Sequence, residues 1–219
     1  MSAFSAAQLL DVWERTLDQT PVQRALLLLA SWTGAAPETL AQLSIGQRDS
    51  YLLSLRELLF GPHIAGVVTC PMCGGQLEVA FSVSDVRAEP VEGHAQVLSV
   101  HVDEYDVDFR LPTSLDVVAS ADQVTAADAR QVLLQRCILS VGCRGQTIAA
   151  ADCPDSVVDA LTSRMAQADP QADIQLGLTC PACLHEWLTQ FDVLTFLWTE
   201  LNAWGHRILY EVHLLASAY

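Results

Sequence analysis

Two short runs, Cys70-Pro71-Met72-Cys73 and Cys180-Pro181-Ala182-Cys183, each place two thiols three residues apart with a proline between them. On a tight turn that spacing directs both sulfurs to one side. Two such turns facing each other would supply the four soft ligands of a tetrahedral ion at about 2.3 Å, which neither pair can do alone. Spacing and a reducing compartment favour a closed four-thiolate zinc site on Cys70, Cys73, Cys180 and Cys183, one ion per chain; a tetrahedral iron site, and a disulfide or unliganded thiols, are the alternatives. Four thiolates fill the shell. A catalytic zinc usually keeps one position for water, so the expected role is structural.

The two runs belong to a longer internal repeat. A shift of 110 residues lays Val68 to Cys73 on Leu178 to Cys183, then Leu77 on Trp187 and Phe81 on Phe191. Each copy reads as a turn followed by a short strand. Proline fixes one backbone angle of the turn, and Gly74 after Cys73 is free to take the positive φ that turns amides toward the sulfurs. Leu184 occupies the equivalent place in the second copy. Either it accepts a left-handed conformation costing about 1–2 kcal/mol, or the second turn has a different shape.

The other reactive side chains carry less. Cys137 lies in an apolar helical run and reads as a small buried hydrophobe, while Cys143 and Cys153 read as free thiols before they read as a pair. His185 reads as an exposed neighbour of the second turn, and His206 and His213 as packing residues of one helix face. Asp103, Glu104, Asp106 and Asp108 alternate along a strand and so point to different faces, which suits a solvated sheet edge better than a cation site. The chain contains no G-x-S-x-G, H-E-x-x-H or phosphate-binding glycine loop, and an enzyme is not indicated.

The elements that must hold the cysteines are legible in part. The first 60 residues read as helices: Thr20-Pro21-Val22-Gln23 and Ser44-Ile45-Gly46-Gln47 are capping boxes, and Gly61-Pro62 stops the second helix. From Val67 the apolar period changes to two, with Leu77, Val79 and Phe81 on one face of a strand. Leu98, Val100 and Val102, then Tyr105, Val107, Phe109 and Leu111, predict a hairpin although its turn lacks glycine. Helices are predicted from Thr125 through Leu139 and from Pro154 to Met165, with a loop over Gly142 to Cys153 between them. A strand through Trp187 and Phe191 then gives way to a long helix carrying Leu194, Leu197, Leu201, Ile208, Val212 and Leu215.

These elements predict an α+β fold in three parts: an N-terminal helical module over 1–66, a split zinc ribbon over 67–192 with a hairpin and helices inserted at 86–177, and a C-terminal helix over 193–219. The last helix has no stop signal. It either frays at a natural terminus or continues in a segment beyond Tyr219. Trp198, Trp204, Ile208, Val212 and Leu215 on it form a candidate partner-binding surface, with packing against the N-terminal helices as the competing reading.

Composition narrows the function. With 26 acidic and 11 basic residues in 219, all the basic ones arginine, the net charge is -15. No basic patch is present to exchange counterions with phosphates, so nucleic acid is not an expected partner. The longest apolar run, Ala25 to Trp32, is too short for a span that needs about 20 residues, and no secretory signal opens the chain. The expected location is the cytoplasm.

Taken in order, Arg56-Glu57-Leu58-Leu59-Phe60-Gly61-Pro62, the turn Thr69 to Gly74, Phe109-Arg110-Leu111-Pro112-Thr113-Ser114, the turn Thr179 to Cys183, and Phe196-Leu197-Trp198 with Glu200 through Glu211-Val212-His213 and Leu215-Ala216 resemble the T4-type phage baseplate protein family. In particular the chain looks like the zinc-ribbon members of that family, encoded with phage tail-like contractile injection systems. The resemblance implies a non-enzymatic component or assembly factor of such a particle, incorporated into it with baseplate, tube or sheath-associated proteins as partners, and without membrane insertion. It also implies a further Trp-containing helix and basic stretch after Tyr219, which is either cut off here or lost in this member. A free zinc-ribbon adaptor or regulator, binding a protein or nucleic acid, is the alternative.

Overall fold

Reciprocal side-chain caps start the N-terminal helices. Ser5 with Gln8 and Thr20 with Gln23 exchange hydrogen bonds between side chain and backbone, which satisfies amides that have no carbonyl one turn earlier. The computed structural model describes residues 4–89 and 97–218. In chain order it contains α1 (Ala6–Thr16), α2 (Pro21–Thr33), α3 (Pro37–Leu40), α4 (Ile45–Phe60), β1 (His63–Thr69), β2 (Gln76–Ser82), α5 (Val83–Val86), β3 (Leu98–Val102) and β4 (Tyr105–Phe109). There follow α6 (Ser114–Ser120), α7 (Ala126–Cys137), β5 (Ile138–Cys143), β6 (Gln146–Thr147), α8 (Asp155–Ala168), β7 (Gln175–Thr179), β8 (Glu186–Gln190) and α9 (Val193–Ala218). The fold is α+β, with small antiparallel sheets ordered β1-β2, β3-β4-β5-β6 and β7-β8 and a long C-terminal helix. Tyr219, the last residue of the predicted helix, lies outside the described residues.

Contacts divide the chain into two units. One comprises Met1–Leu40, Asp49–Arg87 and Ile174–Tyr219; the other comprises Ala41–Arg48 and Ala88–Asp173. In the first, the apolar stripes of α1, α2, α4 and α9 are buried through Val12 and Trp13, Leu28 and Leu29, Leu52 and Leu55, and Leu197 and Leu201. Such stripes recur at helical spacing because burying them is what stabilises a helix this short in water. The α1–α9 seam is close enough to need glycine. A Cβ on Gly205 would stand 2.5 Å from the Trp13 ring, while Trp13 Nε1 donates to Asn202 Oδ1 at 3.1 Å.

The second unit is a four-stranded sheet backed by α8. Val107, Phe109, Val141 and Cys137 pack with Val157, Leu161 and Met165, and burial pushes the Cys137 thiol up to about 11. The hairpin expected over 98–111 is present, pairing Val102 with Tyr105. Its turn does without glycine because Asp103 takes φ +52°, a conformation that the short polar side chain tolerates better than most.

Two expectations fail in this unit for one reason. The helix predicted through Leu139 ends at Cys137, and Ile138–Cys143 is a strand, so the region 142–153 is not a plain loop: it holds the end of β5, then β6 and a short helical turn at Ala150–Asp152. Pairing with β4 and burial of Val141 outweigh local helix preference. It follows that β4 is a central strand and its acidic residues do not form a sheet edge. Nor do they point to different faces: Asp106 and Asp108, two residues apart, share the exposed face of β4. There Asp108 accepts from Ser99 and Ser140, which keeps its carboxyl below the ordinary value, and Asp106 pairs with His101.

Candidate metal centre

Both cysteine pairs sit at the tips of two-stranded hairpins. In the first, the pairing of β1 with β2 ends at Thr69 and Gln76, the Cys70 amide donates to the Gly75 carbonyl at 2.8 Å, and the Gly74 amide donates to the Cys70 carbonyl at 3.0 Å. The second repeats this at an offset of 110. Thr179 pairs with Glu186, the Cys180 amide donates to the His185 carbonyl, and the Leu184 amide donates to the Cys180 carbonyl, both bonds 2.9 Å long. Gly74 has φ +71° and Leu184 φ +57°. The two turns therefore share one shape, and Leu184 accepts the left-handed conformation.

That conformation leads to a prediction. Leu184 is 77% exposed, so removing its side chain forfeits little burial, while glycine escapes the αL penalty of about 1–2 kcal/mol and loses part of that gain to unfolded-state entropy. Leu184→Gly is expected to raise stability by about 0.5–1 kcal/mol in chemical denaturation with metal content held constant. An unchanged or lowered midpoint would show that the turn carries no strain.

The hairpin tips meet. Cys70 Sγ lies 3.7 Å from Cys183 Sγ, and Cys73 Sγ lies 3.6 Å from Cys180 Sγ. All four sulfurs fall within 4.8 Å of one another. Four sulfurs each about 2.3 Å from a central ion stand about 3.8 Å apart along the edges of the tetrahedron, so the two contacts at 3.6 and 3.7 Å match edges of such a site and the cluster could hold a metal ion. The contacts are reciprocal, with Cys70 and Cys180 exchanged and Cys73 and Cys183 exchanged. Phe81 and Phe191, also 110 apart, meet edge to face at 5.3 Å. The repeat thus forms an isologous interface inside a single chain, related by a local two-fold.

Burial differs within each pair. Cys70 and Cys180 are each 1% exposed and pack with Leu77 and Trp187, whereas Cys73 and Cys183 face outward. The Cys183 amide, helped by that of Ala182 and by the Cys183 and Cys73 thiols, overcomes desolvation and pulls the Cys180 thiol down to about 7. The His185 amide favours a thiolate at Cys183 too, but desolvation and the three neighbouring thiols push that group up to about 12. Backbone amides pre-set the first negative charge, and the sulfurs oppose a second one. A divalent cation removes that opposition, which is how a cluster of this kind couples metal binding to proton release.

Most other residues singled out from the sequence lie elsewhere. His185 stacks on Trp187 at 5.9 Å, and His206 packs edge-on to Trp13 at 5.3 Å. Trp198 is half-buried with the Arg24 guanidinium over its ring at 4.3 Å. Trp204 and Ile208 are half-buried, while Val212 and Leu215 are exposed.

An ion pair supporting the hairpins was not legible as such. Arg56 on α4 donates to both carboxylate oxygens of Glu200 on α9 at 2.8 and 2.7 Å and to the Gly61 carbonyl at 2.7 Å, with its guanidinium 5.7 Å from the Phe196 ring. Phe196 in turn contacts Phe191 at 5.4 Å. The available signal was an arginine one turn from Leu52 and next to Leu55 on an apolar helix face, since a charge at such a position needs a partner.

The family described as T4 bacteriophage base plate protein matches residues 18–198, a range that includes both cysteine pairs. No curated protein and no solved structure matches the chain.

Proposed function

Because the chain belongs to the T4 bacteriophage base plate protein family, we propose that it is a non-enzymatic structural or assembly component of the baseplate of a contractile, phage tail-like injection system, held together by one structural zinc. The observation that carries the reading is that the family match runs through both hairpins and everything between them. In this reading β1-β2 and β7-β8 are the two halves of a split zinc ribbon, with Cys70, Cys73, Cys180 and Cys183 as the four ligands. Bound zinc supplies a redox-inert cross-link there, and four sulfurs leave no position for an activated water.

A cross-link of this kind suits an assembly part. It joins segments separated by the 106 residues Gly74 to Thr179 and fixes the start and end of the first unit to each other without a large core. Among the described residues no helix is long and apolar enough to cross a membrane, and with a charge of -15 the chain is poorly suited to a nucleic acid partner. The partners proposed are proteins of the baseplate, tube or sheath.

The partner-binding surface proposed on α9 divides along the helix. Its first half is committed to the protein's own core through Leu197, Leu201 and Gly205, whereas from Leu209 onward every described residue is exposed, including Tyr210, Val212, Leu214 and Leu215. An apolar helix surface left uncovered marks an interaction site. Replacing both Val212 and Leu215 by Asp is expected to change folding stability by no more than about 0.5 kcal/mol each, while abolishing capture of partner subunits. The assay is co-purification of the tagged full chain from its native cell, with thermal melts in parallel. Tube, sheath or baseplate subunits recovered with the parent protein support the reading. A parent protein that elutes without any of them would overturn it, and equal recovery by the double variant would remove α9 as the surface.

A further inference from the structure

The second unit contains a cavity of about 620 Å³, in the size range that holds small ligands and side chains. Its charged wall is built on Asp116, which is fully buried. One carboxylate oxygen accepts from Arg110 Nη1 at 2.6 Å, the Thr113 amide at 2.9 Å and the Thr113 hydroxyl at 2.8 Å; the other accepts from Arg110 Nη2 and Arg136 Nε, both at 2.8 Å. Burial opposes ionisation, yet these donors hold the carboxyl well below the usual range, so the group is an anion at any working pH.

One carboxylate balances one guanidinium. Arg110 faces Asp116 with both terminal nitrogens, so the surplus charge lies on Arg136, whose side chain is 43% exposed and engages Asp116 through Nε alone. Among the described residues its Nη1 and Nη2 have no acceptor. The wall is therefore locally positive on a chain that carries -15 overall. Gln47, also on the wall, accepts from the Ser44 amide through its side-chain oxygen, which leaves its NH2 free to donate.

A second, independent feature converges on the same place. Val97, Leu115 and Leu139 are 49%, 45% and 50% exposed, and all three line this cavity. Apolar side chains around a free guanidinium fork match a ligand that presents a carboxylate between apolar groups. A polyphosphate would bring several charges to a single free guanidinium on an acidic chain and is poorly matched.

We propose that this cavity docks a segment of a partner protein in which an acidic residue is flanked by apolar side chains, the carboxylate binding Arg136 and the flanking groups lying on Leu115 and Leu139. The baseplate reading supplies only the source of that segment, a neighbouring subunit; the chemistry of the cavity can be tested without it.

The test is an NMR titration of the full chain with the peptide acetyl-Leu-Glu-Leu-amide, following the Arg136 side-chain signals and the Leu115 and Leu139 methyl groups. Two controls are the glutamine counterpart of the peptide and acetate, which has the charge without the apolar flanks. Saturable shifts at all three residues are expected with the glutamate peptide. Binding should be about tenfold weaker for either control and for Arg136→Gln and Leu139→Ser. Arg136→Gln also removes one donor from buried Asp116 and should lower the thermal midpoint, whereas Leu139→Ser at a half-exposed position should leave the midpoint unchanged. Weaker binding by Leu139→Ser therefore reads the cavity without a change in stability. No saturable shift with the glutamate peptide, or undiminished binding by Arg136→Gln or by the glutamine peptide, would overturn the assignment. Acetate binding as tightly as the peptide would make the ligand a small free carboxylate instead. Shifts that follow protein concentration alone would make it a second copy of this chain, contradicting the proposal.

Discussion

Cys180→Ser is expected to lose the metal and to unfold both cysteine hairpins. Structural zinc in small peptides contributes an apparent free energy of roughly 10–16 kcal/mol, comparable to the whole stability of an ordinary domain at about 5–15 kcal/mol. Among the described residues, little else holds the cysteine-bearing ends of these hairpins together, although Ile64 is buried farther along β1 and Phe191 packs on Phe196. Their shared buried cluster is Cys70, Leu77 and Cys180 with Trp187 beside it, supplemented by the Phe81–Phe191 contact, and an isolated two-stranded hairpin is marginal in water. A loss of only 5 kcal/mol would lower the thermal midpoint by about 10–20 °C in a chain of this length. The check is metal analysis and calorimetry on Cys180→Ser beside Cys143→Ser, whose thiol lies in the other unit. The control should keep about one equivalent of metal and its midpoint. Hydrogen exchange should show protection lost at Val68, Leu77, Leu178 and Trp187 on metal removal and retained at Val107 and Val141.

The second large effect is expected at the Arg56–Glu200 pair, and it should be asymmetric. The Arg56 side chain is 3% exposed and that of Glu200 26%. Arginine cannot escape burial by losing its proton, whereas the carboxylate can reach water. Glu200→Ala leaves a buried cation with only the Gly61 carbonyl and the Phe196 face for company, and should cost about 3–5 kcal/mol. Arg56→Met keeps the apolar stem and leaves a carboxylate that water can solvate, so its cost should be smaller, about 2 kcal/mol. Combining Arg56→Met with Glu200→Leu should recover most of the loss, since well-packed apolar replacements of buried ion pairs are often near neutral. A double-mutant cycle of Arg56→Met and Glu200→Leu, measured by urea denaturation beside Glu200→Ala, reads these values. Equal costs for the two single changes would contradict the burial asymmetry.

How far each feature was legible depends on the range of the interaction that fixes it. Metal-ligand chemistry is local, and the two C-x-x-C turns with their offset of 110 were visible before any fold was known. The capping boxes at Thr20 and Ser44 were equally plain because cap and backbone lie three residues apart. Ile138–Cys143 was misread because its strand state comes from pairing with β4 some 30 residues away in sequence, and the acidic strand was then misplaced at an edge. Arg56 and Glu200 lie 144 positions apart, so no spacing rule could pair them, although both fall in the runs that carried the family resemblance. Arg110 and Thr113 lie in another of those runs, and their hydrogen bonds to Asp116 explain why that run is built as it is. At Leu184 the sequence left two turn shapes open, and only the backbone decided between them.

The central claim is that one ion joins the two hairpins through four sulfurs. X-ray absorption at the zinc edge on the purified full chain tests it most directly. The expected result is a single shell of four sulfurs at about 2.3 Å with no lighter ligand. A folded protein that contains no metal, or a first shell that includes oxygen or nitrogen, would contradict it.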